Sequence, residues 1–366
     1  MKTSAFKVGM RSPEDVTEAA RLLDQKAFRA EDVAAILGKT EGNGGVNDYT
    51  RGLATLCFQL LLSQRSGVPV EKIAKRVPII WSGGTEGLMS PHATIFVREP
   101  DRGTPSGDKR FTAGTAYTRD LPPEEFGTLV HAEVAAEGVR AAIRDAGIEA
   151  AADIHFVQIK TGALTTERIA AARARGRDAV THDTGKSMAY GRAAAALGIG
   201  LATGEIPASR LSADAILTDF GLASDVASTS SGVELMNCEI IVMGNSPRST
   251  SDLVMTHAVM RDALDARAIR DALRRAGLRV ECELDERDRA RLINVFVKCE
   301  PDSSGATRGR RHVMFEDSDV GYTRHIRGAV NAVVASVTGD PMCYVSAGAE
   351  HQGPPGGGVV AVLARV

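Results

Sequence analysis

Three lysines, three arginines and three serines recur along this chain in one order and in matching surroundings, and together they could carry out acyl transfer. Each lysine ends an apolar stretch: AAILGKTEG with Lys39, HFVQIKTGA with Lys160 and NVFVKCEPD with Lys298. Each arginine opens a run of small residues: RGLATLCFQLLLSQ from Arg51, RAAAALGIGLATGE from Arg192 and RGAVNAVVASVTGD from Arg327. Each serine begins the pattern Ser-x-Gly-x-Glu, as Ser82-Gly83-Gly84-Thr85-Glu86, Ser230-Ser231-Gly232-Val233-Glu234 and Ser346-Ala347-Gly348-Ala349-Glu350. Serine is a poor nucleophile at its free pKa. A neutral lysine can take its proton when burial and nearby cations lower the lysine pKa. The small residues after each serine let backbone N–H groups face a ligand oxygen. Such a set suits a compact ring bearing several carbonyls.

Positioning these groups requires particular elements. The alternating runs before Lys160 and Lys298 predict strands. Apolar runs at 93–97, 240–244 and 359–364 predict a strand after each serine loop. A helix is expected from each arginine, which places a cation against the positive end of the macrodipole and calls for an anionic or carbonyl-rich ligand there. Amphipathic helices EVAAEGVRAAIRDAG and AVMRDALDARAIRDALRRAG precede the second and third lysine strands. Polar, Pro/Gly/Ser-rich stretches PDRGTPSGD and NSPRSTSD divide the chain into units 1–103, 104–249 and 250–366. The expected fold class is α/β, with three repeated α/β units in a pseudo-threefold ring and the equivalent loops meeting in one central cleft.

Composition excludes several other functions. Of 366 residues 43% are hydrophobic, and the formal net charge is -2, so there is no global basic field for nucleic acid. Aromatic residues make up only 4%, leaving few platforms for stacked bases. No apolar run suits a membrane helix, and MKTSAFKVGM lacks a signal-peptide core. Five scattered cysteines without C-x-x-C predict reduced thiols and a cytoplasmic setting. The eight histidines show no paired ligand spacing. GPPGGG at 353–358 is not a dinucleotide fingerprint, and RGRRH at 308–312 reads as a solvated loop. The tight loop 349–354, rich in carbonyls and carrying one amide, could hold a hard cation such as Mg²⁺ or Ca²⁺.

The stretches GKTEGNGGVNDYTR (38–51), SGGTEGLMSPH (82–92), HFVQIK (155–160), RGRRHVMFEDSD (308–319) and YVSAGAEHQGPPGGG (344–358) resemble the cyanuric acid hydrolase/barbiturase family of ring-opening amidohydrolases. The resemblance covers nearly the whole chain. It implies three homologous α/β domains about a pseudo-threefold axis, with the active site at the centre, and a homotetramer. It implies opening of cyanuric acid to carboxybiuret, which loses CO₂ to give biuret, with no nucleotide or electron carrier. The alternatives are opening of barbituric acid to ureidomalonate and non-catalytic binding of a small heterocycle. The repeats alone do not choose among three Lys/Ser pairs; the resemblance assigns Lys160 as base and Ser230 as nucleophile. It makes Arg51, Arg192 and Arg327 ligands for the substrate oxygens. Ser82 with Gly83, Ser230 with Ser231, and Ser346 with Ala347 would line the three ring edges, while Lys39 and Lys298 tune charge. It also implies a structural Mg²⁺ or Ca²⁺ held by Glu300, Gln352 and the backbone oxygens of Ala349, Gly353, Pro354 and Gly357. Two positions depart from the pattern. Ala347 replaces an expected Gly and would crowd one ring edge, and Ser231 replaces a small apolar residue, which blurs which hydroxyl attacks.

Overall fold

The computed structural model describes residues 1–100, 103–105 and 107–366; Asp101, Arg102 and Ser106, within the first expected linker, lie outside the described residues. Three four-stranded sheets share one topology. The first contains β1 (Lys2–Gly9), β2 (Val33–Thr40), β3 (Ile79–Gly83) and β4 (His92–Glu99), in the order β1-β4-β2-β3. The second repeats it as β5-β8-β6-β7, with β5 (Arg110–Tyr117), β6 (Ile154–Thr161), β7 (Ala227–Ser231) and β8 (Glu239–Ser246). The third sheet takes β9 (Leu253–Met260), β10 (Leu292–Cys299), β13 (Tyr344–Ala347) and β14 (Gly358–Arg365), in the order β13-β10-β14-β9. A small hairpin, β11 (Ala306–Thr307) with β12 (Arg310–Arg311), follows β10, so RGRRH is partly paired strand with Arg310 and Arg311 exposed. We retain the division at 103 and 249 as a proposal.

The period of two along each strand explains the layers. The outer faces of the sheets, with residues such as Ile36, Val157 and Val295, pack on helices in three separate cores. The inner faces meet in one further core to which every sheet contributes, including Phe96, Phe111, Phe156, Phe296 and Tyr344. In each sheet one parallel pair, β2–β3, β6–β7 or β10–β13, sets a lysine beside a serine: Lys39 opposite Ser82, Lys160 opposite Ser230, Lys298 opposite Ser346. These side chains continue the inner face past the end of the shared core.

Two expectations about helices require correction. Only Arg51 lies in a first helical turn, in the helix Thr50–Ser66. Arg192 is in the middle of the helix Thr184–Thr203, which starts earlier because Asp183 caps it by accepting from the Lys186 N–H. Arg327 lies in the second turn of the helix Tyr322–Thr338. The macrodipole reasoning therefore does not apply to these two. The predicted helix from Ala258 begins only at Ala266, after an Asp265 cap, because 258–260 complete strand β9.

Candidate active site

Convergence of the three units is visible in contacts that cross between sheets. The buried Tyr344 hydroxyl, on the third sheet, donates to Gln158 Oε1 of the second at 3.0 Å. Lys298 Nζ donates to the Thr229 carbonyl of the second sheet at 2.5 Å. Asn294 of the third sheet donates to Thr94 Oγ1 of the first at 2.9 Å. The equivalent lysines and serines thus gather about one centre.

The glutamates of the repeated pattern close the arrangement, a role that sequence reading left unassigned. Arg327 donates to both Glu86 oxygens, at 2.8 and 2.6 Å. Arg192 does the same to Glu350, at 2.7 and 2.5 Å. Arg51 stands 3.2 Å from Glu234, off hydrogen-bond geometry. Each arginine therefore reaches into the next unit, the third returning to the first. This also explains the glycine of Ser-x-Gly-x-Glu. Gly84 and Gly348 have φ of +95° and +80°, and a Cβ there would sit 2.6 Å from the arginine that folds over the loop. At Gly232 a Cβ would meet the Glu234 carboxylate at 2.1 Å. The signal was the recurring fifth residue of the motif.

All three lysines are buried and have lowered pKa values. Burial and Arg327 lower Lys39; burial and Arg192 bring Lys298 to about 7. Burial and Arg51 bring Lys160 to about 8, against the pull of Glu234. Glu234, opposed by burial but facing Lys160 and Arg51, falls to about 2. The three Lys/Ser pairs nevertheless differ. Lys39 donates to Ser82 Oγ at 3.0 Å and Lys298 to Ser346 Oγ at 3.2 Å. Lys160 instead lies 2.9 Å from Glu234 and 3.4 Å from the Ser231 carbonyl. Ser230 Oγ is buried with no hydrogen-bond partner among the described residues, so the expected Lys160–Ser230 bond is not formed in this state.

The remaining site residues are placed as follows. The Ser231 hydroxyl, on the opposite face of β7, donates to the Gly162 carbonyl, which leaves Ser230 as the inward serine. The Ala347 methyl packs on the helix-side core of the third unit rather than against the centre, which corrects the expected crowding. Gly83 abuts Asp48, whose carboxylate a Cβ would meet at 1.8 Å; Asp48 also ties the loop 42–48 by accepting from the Gly44 N–H. Glu300 accepts from the Ala349 N–H at 2.8 Å, and Gln352 Oε1 accepts from the Thr229 N–H at 2.6 Å. A cavity of about 500 Å³ lies between the first two units and ends at Arg51, Lys160 and Glu234.

Three concatenated α/β units with a basic, serine-bearing centre define a hydrolase of cyclic amides, and the comparisons agree. The profile of the "Amidohydrolase ring-opening protein" family matches residues 4–365, and the chain belongs to that family. It is 50% identical over 371 residues to a cyanuric acid amidohydrolase from Enterobacter cloacae, covering 100% of both chains. It is 45% identical over 367 residues to Barbiturase 1 of a Nocardioides strain, covering 98% of this chain and 97% of that one. A solved cyanuric acid hydrolase, described as an innovation by structural concatenation, superposes with a TM-score of 0.96 at 44% identity, covering 100% of this chain and 99% of that one. Among the described residues no helix is long and apolar enough to cross a membrane.

Proposed function

We propose that this enzyme opens cyanuric acid by hydrolysis, with Ser230 as nucleophile and Lys160 as base, giving carboxybiuret and then biuret and CO₂. The observation that carries the reading is the difference among three equivalent pairs. Ser82 and Ser346 are held by their lysines, whereas Ser230 Oγ is buried with no hydrogen-bond partner among the described residues, beside a lysine of lowered pKa. The flat ring enters the centre, and three arginines and three serine-loop edges bind its oxygens, fixing orientation on arrival. Neutral Lys160 takes the Ser230 proton as Oγ attacks a ring carbonyl. Arginine and loop N–H groups hold the oxyanion. The ring C–N bond breaks as Lys160 returns the proton to nitrogen, and water then releases the acyl group. Purified protein incubated with cyanuric and barbituric acids separately tests this, read as loss of ring ultraviolet absorbance and formation of biuret. Turnover of cyanuric acid at the higher kcat/KM supports it. Faster turnover of barbituric acid, whose ring carries CH₂ in place of one N–H, replaces it with the barbiturase reading. Binding of either ring without turnover replaces it with a binding protein. We also propose a homotetramer acting in the cytoplasm.

We further propose that the C-terminal loop holds a hard cation. The Glu300 carboxyl is pushed up to about 7, first by burial and then by Glu350, and among the described residues it has no ion-pair partner within 4 Å. The backbone oxygens of Ala349, Gly353, Pro354 and Gly357 and the Gln352 amide oxygen would complete a donor set of the kind Mg²⁺ and Ca²⁺ take, in exchange for the turn bonds that the Ala349 and Pro354 carbonyls accept and the Thr229 N–H that Gln352 accepts. Such an ion would neutralise Glu300 and brace the loop bearing Ser346, with no part in bond cleavage. Chelation is expected to lower Tm by about 5 °C, and the shift should vanish in Glu300→Gln; an unchanged Tm on chelation removes the ion from the proposal.

A further inference from the structure

We infer that Glu239 and the cavity behind Lys160 form a proton route between the Lys160 amine and bulk water. This rests on Lys160 acting as the base, as proposed above. The route is suggested by a comparison that the threefold repeat makes possible. In the adjacent antiparallel strand, Lys39 faces His92 and Lys160 faces Glu239. Continuing the β10–β14 register past Val297 opposite Val360 sets Lys298 against Val359. Register partners project from the same face of a sheet with their Cβ atoms about 5 Å apart. His92 is fully engaged, through Nδ1 with the Ser90 carbonyl and Nε2 with Asn294, and Val359 carries no proton. Of these three register partners, Glu239, in the unit whose serine hydroxyl has no partner among the described residues, is the one carboxylic acid.

Glu239 and Lys160 both line the cavity of about 500 Å³, and it continues past Gln59, Lys75 and Asn237. The charged and titratable groups facing this space are Arg51, Lys75, Lys160, Glu234, Glu239 and Tyr117; β3 contributes only Ile79 and Trp81. Tyr117, opposite Glu239 on β5, donates to the Ala74 carbonyl at 3.3 Å, and burial raises its pKa, so it stays neutral. Burial raises the Glu239 carboxyl and lowers the Lys160 amine, which brings the two groups closer to exchanging a proton than they are in water. A flat ring bound at the centre closes that side of Lys160, and the cavity leaves the other side open.

The transfer balances. In the resting site Lys160 is an ammonium beside Glu234, and Glu239 is a neutral acid. Glu239 gives its proton to cavity water and becomes a carboxylate. It then takes one proton from Lys160 through cavity water, which leaves a neutral amine and a neutral acid, and one proton has entered solvent. Glu239 acts through Lys160 and touches no substrate atom.

The test uses the full chain with cyanuric acid. Glu239→Gln is expected to lower kcat about tenfold with KM within about twofold, less than the roughly 10²–10⁴-fold that loss of a direct acid–base group costs. Glu239→Ala should lose as much, and added imidazole, small enough for the cavity, should restore it in a saturable manner. A merely structural role predicts no recovery with imidazole. Wild-type kcat in both variants, or a loss in folded Glu239→Ala that imidazole leaves unchanged, overturns the route. Ser230→Ala and Lys160→Met run alongside separate the two failures: activity in these overturns the Lys160–Ser230 reading itself, whereas their silence with an unaffected Glu239→Gln overturns only the route.

Discussion

Ser230→Ala and Lys160→Met are each expected to reduce kcat by at least about 10³-fold, while Ser82→Ala and Ser346→Ala cost about tenfold to a hundredfold. The difference follows from what each hydroxyl does at rest. Ser82 and Ser346 are already committed to Lys39 and Lys298, which suits them to gripping the ring. Ser230 is uncommitted, and its lysine is held by a carboxylate that can exchange it for the serine when the ring arrives. The base must be neutral, and the neutral fraction of Lys160 grows as pH rises through about 8. In the wild type kcat/KM should therefore climb with pH and level off above that region. Equal losses at all three serines, or a rate that falls across pH 7 to 9, would show that another unit supplies the nucleophile.

Arg192→Met is expected to destabilise the protein by about 3–5 kcal/mol, the cost of leaving one member of a buried ion pair uncompensated. Arg192 and Glu350 are both largely buried and joined through two hydrogen bonds. Without the guanidinium, Glu350 is left facing Glu300, another deep carboxyl. Urea unfolding reads the effect as a lower midpoint at unchanged slope. Adding Glu350→Leu should recover much of the loss, because the unpaired charge leaves with it. A single-variant loss below about 1 kcal/mol would mean that solvent screens this pair as it does surface pairs.

Much of this site was legible in the sequence because it depends on strand period and register. Lys160 and Ser230 lie in runs whose inward positions alternate, and the repeats align them across a parallel pair. The same period settles Ser231 and Ala347, one residue on and therefore on the other face, although residue identity alone had suggested crowding. Helix starts were harder. The small-residue run after Arg192 reads as a helix opening there, yet Asp183 supplies a cap two turns upstream. The glutamates were read as part of a pattern without a role, because their arginine partners are distant in the chain and no local rule connects them. Glu239 carries no motif; it becomes visible only when its strand is laid beside β6.

The shared inner core has a consequence for how the molecule comes apart. Phe96 touches Phe111 and Phe296, and Phe156 touches Phe296, so aromatic rings from the three sheets contact one another directly. A single unit pulled away would bare its inner face and strand a charge at each of its two borders. The three sheets are therefore expected to melt together as one cooperative block, read by calorimetry as a single transition.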